Sequence, residues 1–152
     1  MKILDKANIV WGVIATVMTG ILGEFWFLFL GFLVLNLVDY ITGVIKARMF
    51  GQESSARGAK GIMKKVMYWL VIGIAFFVST CFVEMGQVIG VELSFVILFG
   101  WLTLATYMIN EIRSILENCV EMGVDVPYFL IKGLDITSKL IQTKTEEQEV
   151  VK

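Results

Sequence analysis

Asp39 is the single carboxylate set inside an otherwise charge-free apolar run, Phe25 to Ile45. At the centre of a membrane helix such a group costs about 2.5–3.5 kcal/mol on insertion scales, so it must be paired, protonated or wet. Its neighbours make it part of a pattern. Asn36, Asp39, Tyr40, Gly43 and Lys46 recur at i, i+3, i+4, i+7 and i+10 and share one helical face. A second polar stripe, Gly100, Thr103, Thr106, Tyr107, Asn110, Ser114 and Glu117, also deepens in polarity toward its C-terminal end. Two helices so striped can line a common aqueous path in an assembly of several copies, or hydrogen-bond to each other inside one copy. The residues leave both open. A third reading has Asp39 pair with Lys46 or another lysine of the basic segment and do no more than anchor its helix. Gly12, Thr16 and Gly20 recur every four residues, a spacing that lets helix backbones approach closely in lipid.

Other chemistries are excluded by what the chain lacks. It has no histidine, which removes His-based triads and His-ligated zinc. Cys81 and Cys119 fall on opposite sides of the membrane in the topology derived below, so they cannot pair within one chain. Neither a metal site nor a cofactor is implied. No nucleophile has a recognisable base beside it, so the chain does not read as an enzyme. Ser54-Ser55-Ala56-Arg57-Gly58-Ala59-Lys60-Gly61 is glycine- and serine-rich, but it lacks the Gly-Lys-Ser/Thr ending and the preceding strand of a phosphate loop. Its serines are better placed to cap a helix. No nucleic-acid partner is implied.

The elements that must position these residues are membrane helices. The 152 residues are 57% hydrophobic and 18% charged, with a mean hydropathy of +0.79. A soluble domain is closer to about 45–50% apolar and about 25% charged. Charge-free runs cover Ala7 to Gly23, Phe25 to Ile45 (Asp39 apart), Val66 to Val83 and Leu93 to Asn110. A spanning helix needs about 17–25 residues at 1.5 Å of rise each. The fold class is therefore all-α: an integral membrane protein with four predicted transmembrane helices, at about 7–23, 25–45, 66–83 and 93–122. The first run reads as a retained helix rather than a signal peptide, because it has no clean small-x-small cleavage site.

Lys46, Arg48, Arg57, Lys60, Lys64 and Lys65 face Glu53 alone in the segment 46–65, whereas the other two connections carry no basic residue. The positive-inside rule puts this basic loop and both termini in the cytoplasm of a multi-pass protein. Arg48, Arg57, Lys60, Lys64 and Lys65 would lie against anionic lipid headgroups. Residues 1–123 thus form the transmembrane domain, and 124–142 a cytoplasmic amphipathic helix. In that helix Phe129, Leu130, Leu134, Ile136, Leu140 and Ile141 oppose Lys132, Asp135 and Lys139. The polar tail 143–152 reads as disordered.

Three blocks in this order resemble the toxin-secretion/phage-lysis holins of Gram-positive phages and clostridial toxin loci. They are Asp39-x-x-Thr42-Gly43-x-x-x-Ala47; Ser54-Ser55-x-x-Gly58-x-x-Gly61-Ile62-x-Lys64-Lys65; and Glu111-x-x-Ser114-Ile115-x-Glu117-Asn118, followed by Gly123 and Val126-Pro127. They run from about Asp39 to Leu130, most of the chain. The resemblance implies a small protein of the bacterial cytoplasmic membrane that oligomerises with itself in the lipid bilayer. Its lesions would release a functionally coupled endolysin or a toxin. From the residues alone, a small ion channel or transporter subunit, and a membrane scaffold recruiting a cytoplasmic partner, stay open beside it.

Overall fold

A computed structural model of the chain describes residues 2–23, 26–136 and 141. Among them there is no strand. Four long helices follow one another: α1 (Lys2–Leu22), α2 (Trp26–Met49), α3 (Ser55–Ile89) and α4 (Ile97–Glu121), the last preceded by a 3-10 turn at Ser94–Val96. A short helix, α5, covers residues 128–136. The expected tail 143–152, like Glu24 of the first turn, lies outside the described residues.

Among the described residues, three stretches are long and apolar enough to cross a membrane: Trp26–Met49, Ser55–Ile89 and Ser94–Glu121. The chain is a membrane protein. The first run does form a helix, but its charge-free stretch is the shortest and α1 is not among these three.

The basic segment 46–65 differs from the loop expected of it. Only residues 50–54 are non-helical, because α2 runs on to Met49 and α3 already starts at Ser55. Lysine and arginine are good helix formers, so charge marks where a chain leaves hydrocarbon rather than where its helix ends. At 35 residues α3 is about 52 Å long, well beyond the roughly 30 Å of hydrocarbon. Ser54 stands at its N-cap in an extended conformation, without a side-chain capping bond. At the other end Gly90 takes φ 73°, a left-handed turn that costs glycine least.

Helix α4 is the centre of the bundle. It packs along both α2 and α3, while α2 and α3 touch each other sparsely. Phe32, Ile72, Phe76 and Leu104 are buried together where the three helices meet. Gly100 makes this possible: a Cβ there would lie 2.6 Å from the Phe76 ring, which sits edge-on to Trp101 with centroids 4.9 Å apart. By contrast α1 has α2 as its main neighbour, and from Lys6 to Gly20 only Ala15 and Met18 are partly covered. Helix α5 is tied back to α4 by Arg113 Nη2 and Asp135 Oδ1 at 2.6 Å. It turns Ile131 and Leu134 inward and leaves Tyr128, Phe129, Leu130 and Ile136 exposed.

Candidate functional site

Two turns along each helix from the apolar core, the three packed helices share a polar cluster. Lys65 of α3 reaches between α2 and α4, placing Nζ 2.8 Å from Asp39 Oδ2 and in direct contact with Glu111 Oε2. Asn118 of α4 donates from Nδ2 to Asp39 Oδ1 and to Thr42 Oγ1, each at 3.2 Å. The Thr42 hydroxyl in turn donates to the Asp39 carbonyl at 3.0 Å. The side chains of Lys65, Asp39 and Glu111 are 13%, 15% and 5% exposed, so this ion triad is largely out of water. Two carboxylates meet one ammonium. In a setting of low dielectric such a group holds together only through its mutual hydrogen bonds.

Local sequence explains the convergence. Asp39 and Thr42 lie one turn apart on α2. Leu104, Glu111 and Asn118 recur every seven residues on α4 and are all buried. Gly43 faces α4 here, and a Cβ on it would stand in ordinary contact with Asn118 Nδ2 at 3.8 Å. Directly above the triad, Tyr68 of α3 stacks on Tyr107 of α4 with centroids 4.3 Å apart, and Lys64 lies over the Tyr68 ring at 5.6 Å.

Asp39 thus pairs with Lys65 and not with Lys46, which reaches Glu121 at 3.2 Å near the surface. Asn36 is buried. It donates to the Phe32 carbonyl at 2.7 Å, and its Oδ1 has no hydrogen-bond partner among the described residues. Tyr40 is exposed. On α4 the inward face is turned from the expected stripe by one residue. Glu111 and Asn118 point into the bundle, whereas Asn110 and Glu117 are exposed and Ser114 is half-buried. Thr103 and Thr106 bond back to the carbonyls of Phe99 and Leu102. Glu111 read as the charge bracketing an apolar run. The seven-residue recurrence of Leu104, Glu111 and Asn118 is the signal that marks it as interior.

Of the basic residues expected at headgroups, Lys65 belongs to the triad and Arg48 meets Glu53 at 2.8 Å. Arg57, Lys60 and Lys64 are exposed, and among the described residues no carboxylate pairs with them. Gly12 and Gly20 have nothing within 4 Å of where a Cβ would stand, and Thr16 bonds to the Gly12 carbonyl at 2.8 Å. Among the described residues, that stripe packs against nothing.

The cluster gathers all three sequence blocks into one place: Asp39, Thr42 and Gly43 from the first, Lys65 from the second, Glu111 and Asn118 from the third. The sequence pattern of the bacteriophage holin family matches residues 16–139, a span that contains every one of them. The chain belongs to the bacteriophage holin family. Relatives agree with this. A probable holin of Bacillus phage phi105 is 33% identical over 117 residues, 77% of this chain and 78% of that protein. An uncharacterised protein of Halalkalibacterium halodurans is 32% identical over 124 residues, 82% of this chain and 87% of its own length. A 14.9 kDa uncharacterised protein from the nagH 3′ region of Clostridium perfringens is 32% identical over 126 residues, covering 82% and 88%. No solved structure matches the chain.

Proposed function

We propose that this holin-family chain oligomerises in the bacterial cytoplasmic membrane and opens a lesion through which a partner endolysin, or a toxin, leaves the cell. The observation that carries the reading is the Asp39–Lys65–Glu111 triad, assembled from the three blocks that resemble those of holins and lying within the span matched by the family pattern. In this proposal α1 is the fourth span, both termini are cytoplasmic, and the triad end of the bundle faces the cytoplasm. The basic residues between Lys46 and Lys65 favour that orientation.

The triad refines which surfaces assemble. Asp39, Thr42, Lys65, Glu111 and Asn118 satisfy one another inside a single copy, so in the closed chain they hold α2, α3 and α4 together rather than face a lumen. Helix α1, with its uncovered Gly12-Thr16-Gly20 stripe, is left as the surface for contact between copies. Lysis then requires either lesion walls made of other faces or a triad that opens on assembly.

Leakage from liposomes loaded with dyes of graded size tests the reading. Reconstituted chain should release protein-sized solutes above a threshold density in the bilayer. Release of ions alone would establish a channel instead, and no release at any density would leave a scaffold. Co-expression with an endolysin should give abrupt lysis, and expression alone should stop growth without degrading the wall.

A further inference from the structure

Beside the triad, the end of the bundle opens into a cleft of about 1200 Å³ between α2, the 50–54 connection, the start of α3 and the end of α4. Asp39 and Lys65 form its floor, already paired. Its walls are small: Gly43 and Ala47 on α2, Gly58 and Gly61 on α3. Gly58 and Gly61 are anomalous as helical residues. Neither has a positive φ, and a Cβ at either would meet nothing within 4 Å. Glycine loses more backbone freedom than alanine on entering a helix, so two of them in successive turns weaken α3 without easing any contact among the described residues. What they provide is room.

The charges around that room are unequal. On the wall Lys46 pairs with Glu121 and Glu53 with Arg48, while the floor, where Asp39 and Glu111 share Lys65, carries one negative charge in excess. Arg57 also lines the cleft and is exposed, with no carboxylate partner among the described residues. Lys60 and Lys64 follow it at i+3 and i+7, on the same side of α3 and equally without carboxylate partners. The cleft stands where α2 ends and where the apolar part of α3 begins, which is the depth of lipid headgroups in the orientation proposed above.

We propose that this cleft seats the phosphate headgroup of one anionic phospholipid, with Arg57 as its counter-ion and the Gly58–Gly61 wall admitting its glycerol end. This differs from general attraction of a basic segment to an anionic surface, which depends on the number of charges and not on the shape of the wall. Bound there, the lipid bridges α2, α3 and α4 beside the triad and ties the state of the bundle to the composition of the inner leaflet.

The test titrates short-chain phosphatidylglycerol, and phosphatidylcholine in parallel, into the full chain in a neutral detergent, read by native mass spectrometry and intrinsic tryptophan fluorescence. The wild-type chain should bind one phosphatidylglycerol saturably and at least tenfold more tightly than phosphatidylcholine. Gly61→Leu fills the cleft, leaves every charge in place and strengthens the helix, and it should weaken binding at least fivefold. Arg57→Gln should do the same, whereas Lys132→Gln, the same charge change on α5, should alter it less than twofold. The proposal fails if Gly61→Leu binds like wild type, if Lys132→Gln matches Arg57→Gln, or if inorganic phosphate at millimolar concentration displaces the lipid completely. If Gly61→Leu does not fold, Arg57→Gln against Lys132→Gln decides. None of these readings involves lysis, so failure here is separable from failure of the holin assignment.

Discussion

Replacing Lys65 by methionine leaves Asp39 and Glu111 facing each other across α2 and α4 without their shared ammonium. Methionine keeps the length and apolar bulk of the stem, so the change is almost purely one of charge. Removing one partner from a buried ion pair typically costs about 3–5 kcal/mol, because the remaining charge stays desolvated and alone. Here two carboxylates are stranded, one 15% and the other 5% exposed, which places Lys65→Met at the upper part of that range. Asp39→Asn should behave differently. The amide oxygen can still accept from Lys65, its nitrogen then requires Asn118 to turn its own amide oxygen toward it, and the triad keeps one carboxylate and one ammonium, so the cost should be about 1–2 kcal/mol. Combining Lys65→Met with Asp39→Asn and Glu111→Gln removes all the buried charge and should recover most of the loss. Reversible unfolding in mixed micelles at rising SDS fraction measures these differences, and a mutant cycle isolates the coupling. Lys46→Gln serves as the contrast. Its pair with Glu121 is 28% and 58% exposed, so it should move stability by no more than about 0.5 kcal/mol. The reasoning is refuted if Lys65→Met falls within about 1 kcal/mol of wild type, or if Lys46→Gln is the more damaging change.

Three further outcomes are expected. Gly100→Ala drives a methyl group into the Phe76 ring and should cost about 1–3 kcal/mol, with Phe76→Leu restoring part of it in the double variant; the same SDS titration reads both. Asn36→Leu removes a buried acceptor that has no partner and should be neutral or stabilising, so a loss above about 2 kcal/mol would mean that its Oδ1 is satisfied in the membrane-embedded protein. A cysteine placed at Gln87 should react with an impermeant maleimide added to intact cells, whereas one placed at Gln52 should react only after lysis. The reverse pattern would invert the proposed topology.

Much of the fold was legible because lipid allows few solutions. With no water to satisfy its backbone, a run such as Val66 to Val83 must be helical, and composition alone locates it. The unfavourable site of Asp39 was equally plain, since hydropathy measures the cost of burying a charge wherever its partner lies. Element ends were less legible. Lys46 to Lys65 reads as a basic loop because polarity and helix formation are different properties, and the helices run through most of it.

What the sequence could not determine was rotation and partner choice. The stripe through Thr103, Asn110 and Glu117 and the one through Leu104, Glu111 and Asn118 differ by a single residue, or about 100° around α4. Composition rates the first as the more polar near the membrane end. Only the tertiary structure, in which Gly100 must lie under Phe76, turns the second face inward. The same packing chooses Lys65 over Lys46 for Asp39. Lys46 is seven residues from Asp39 along α2, so its own helix sets where its stem lies. Lys65 rises from a helix that α4 holds alongside, and it arrives between both carboxylates at once. Charge and periodicity along the chain state that a buried carboxylate needs a partner; which cation reaches it depends on how three helices lean on one another.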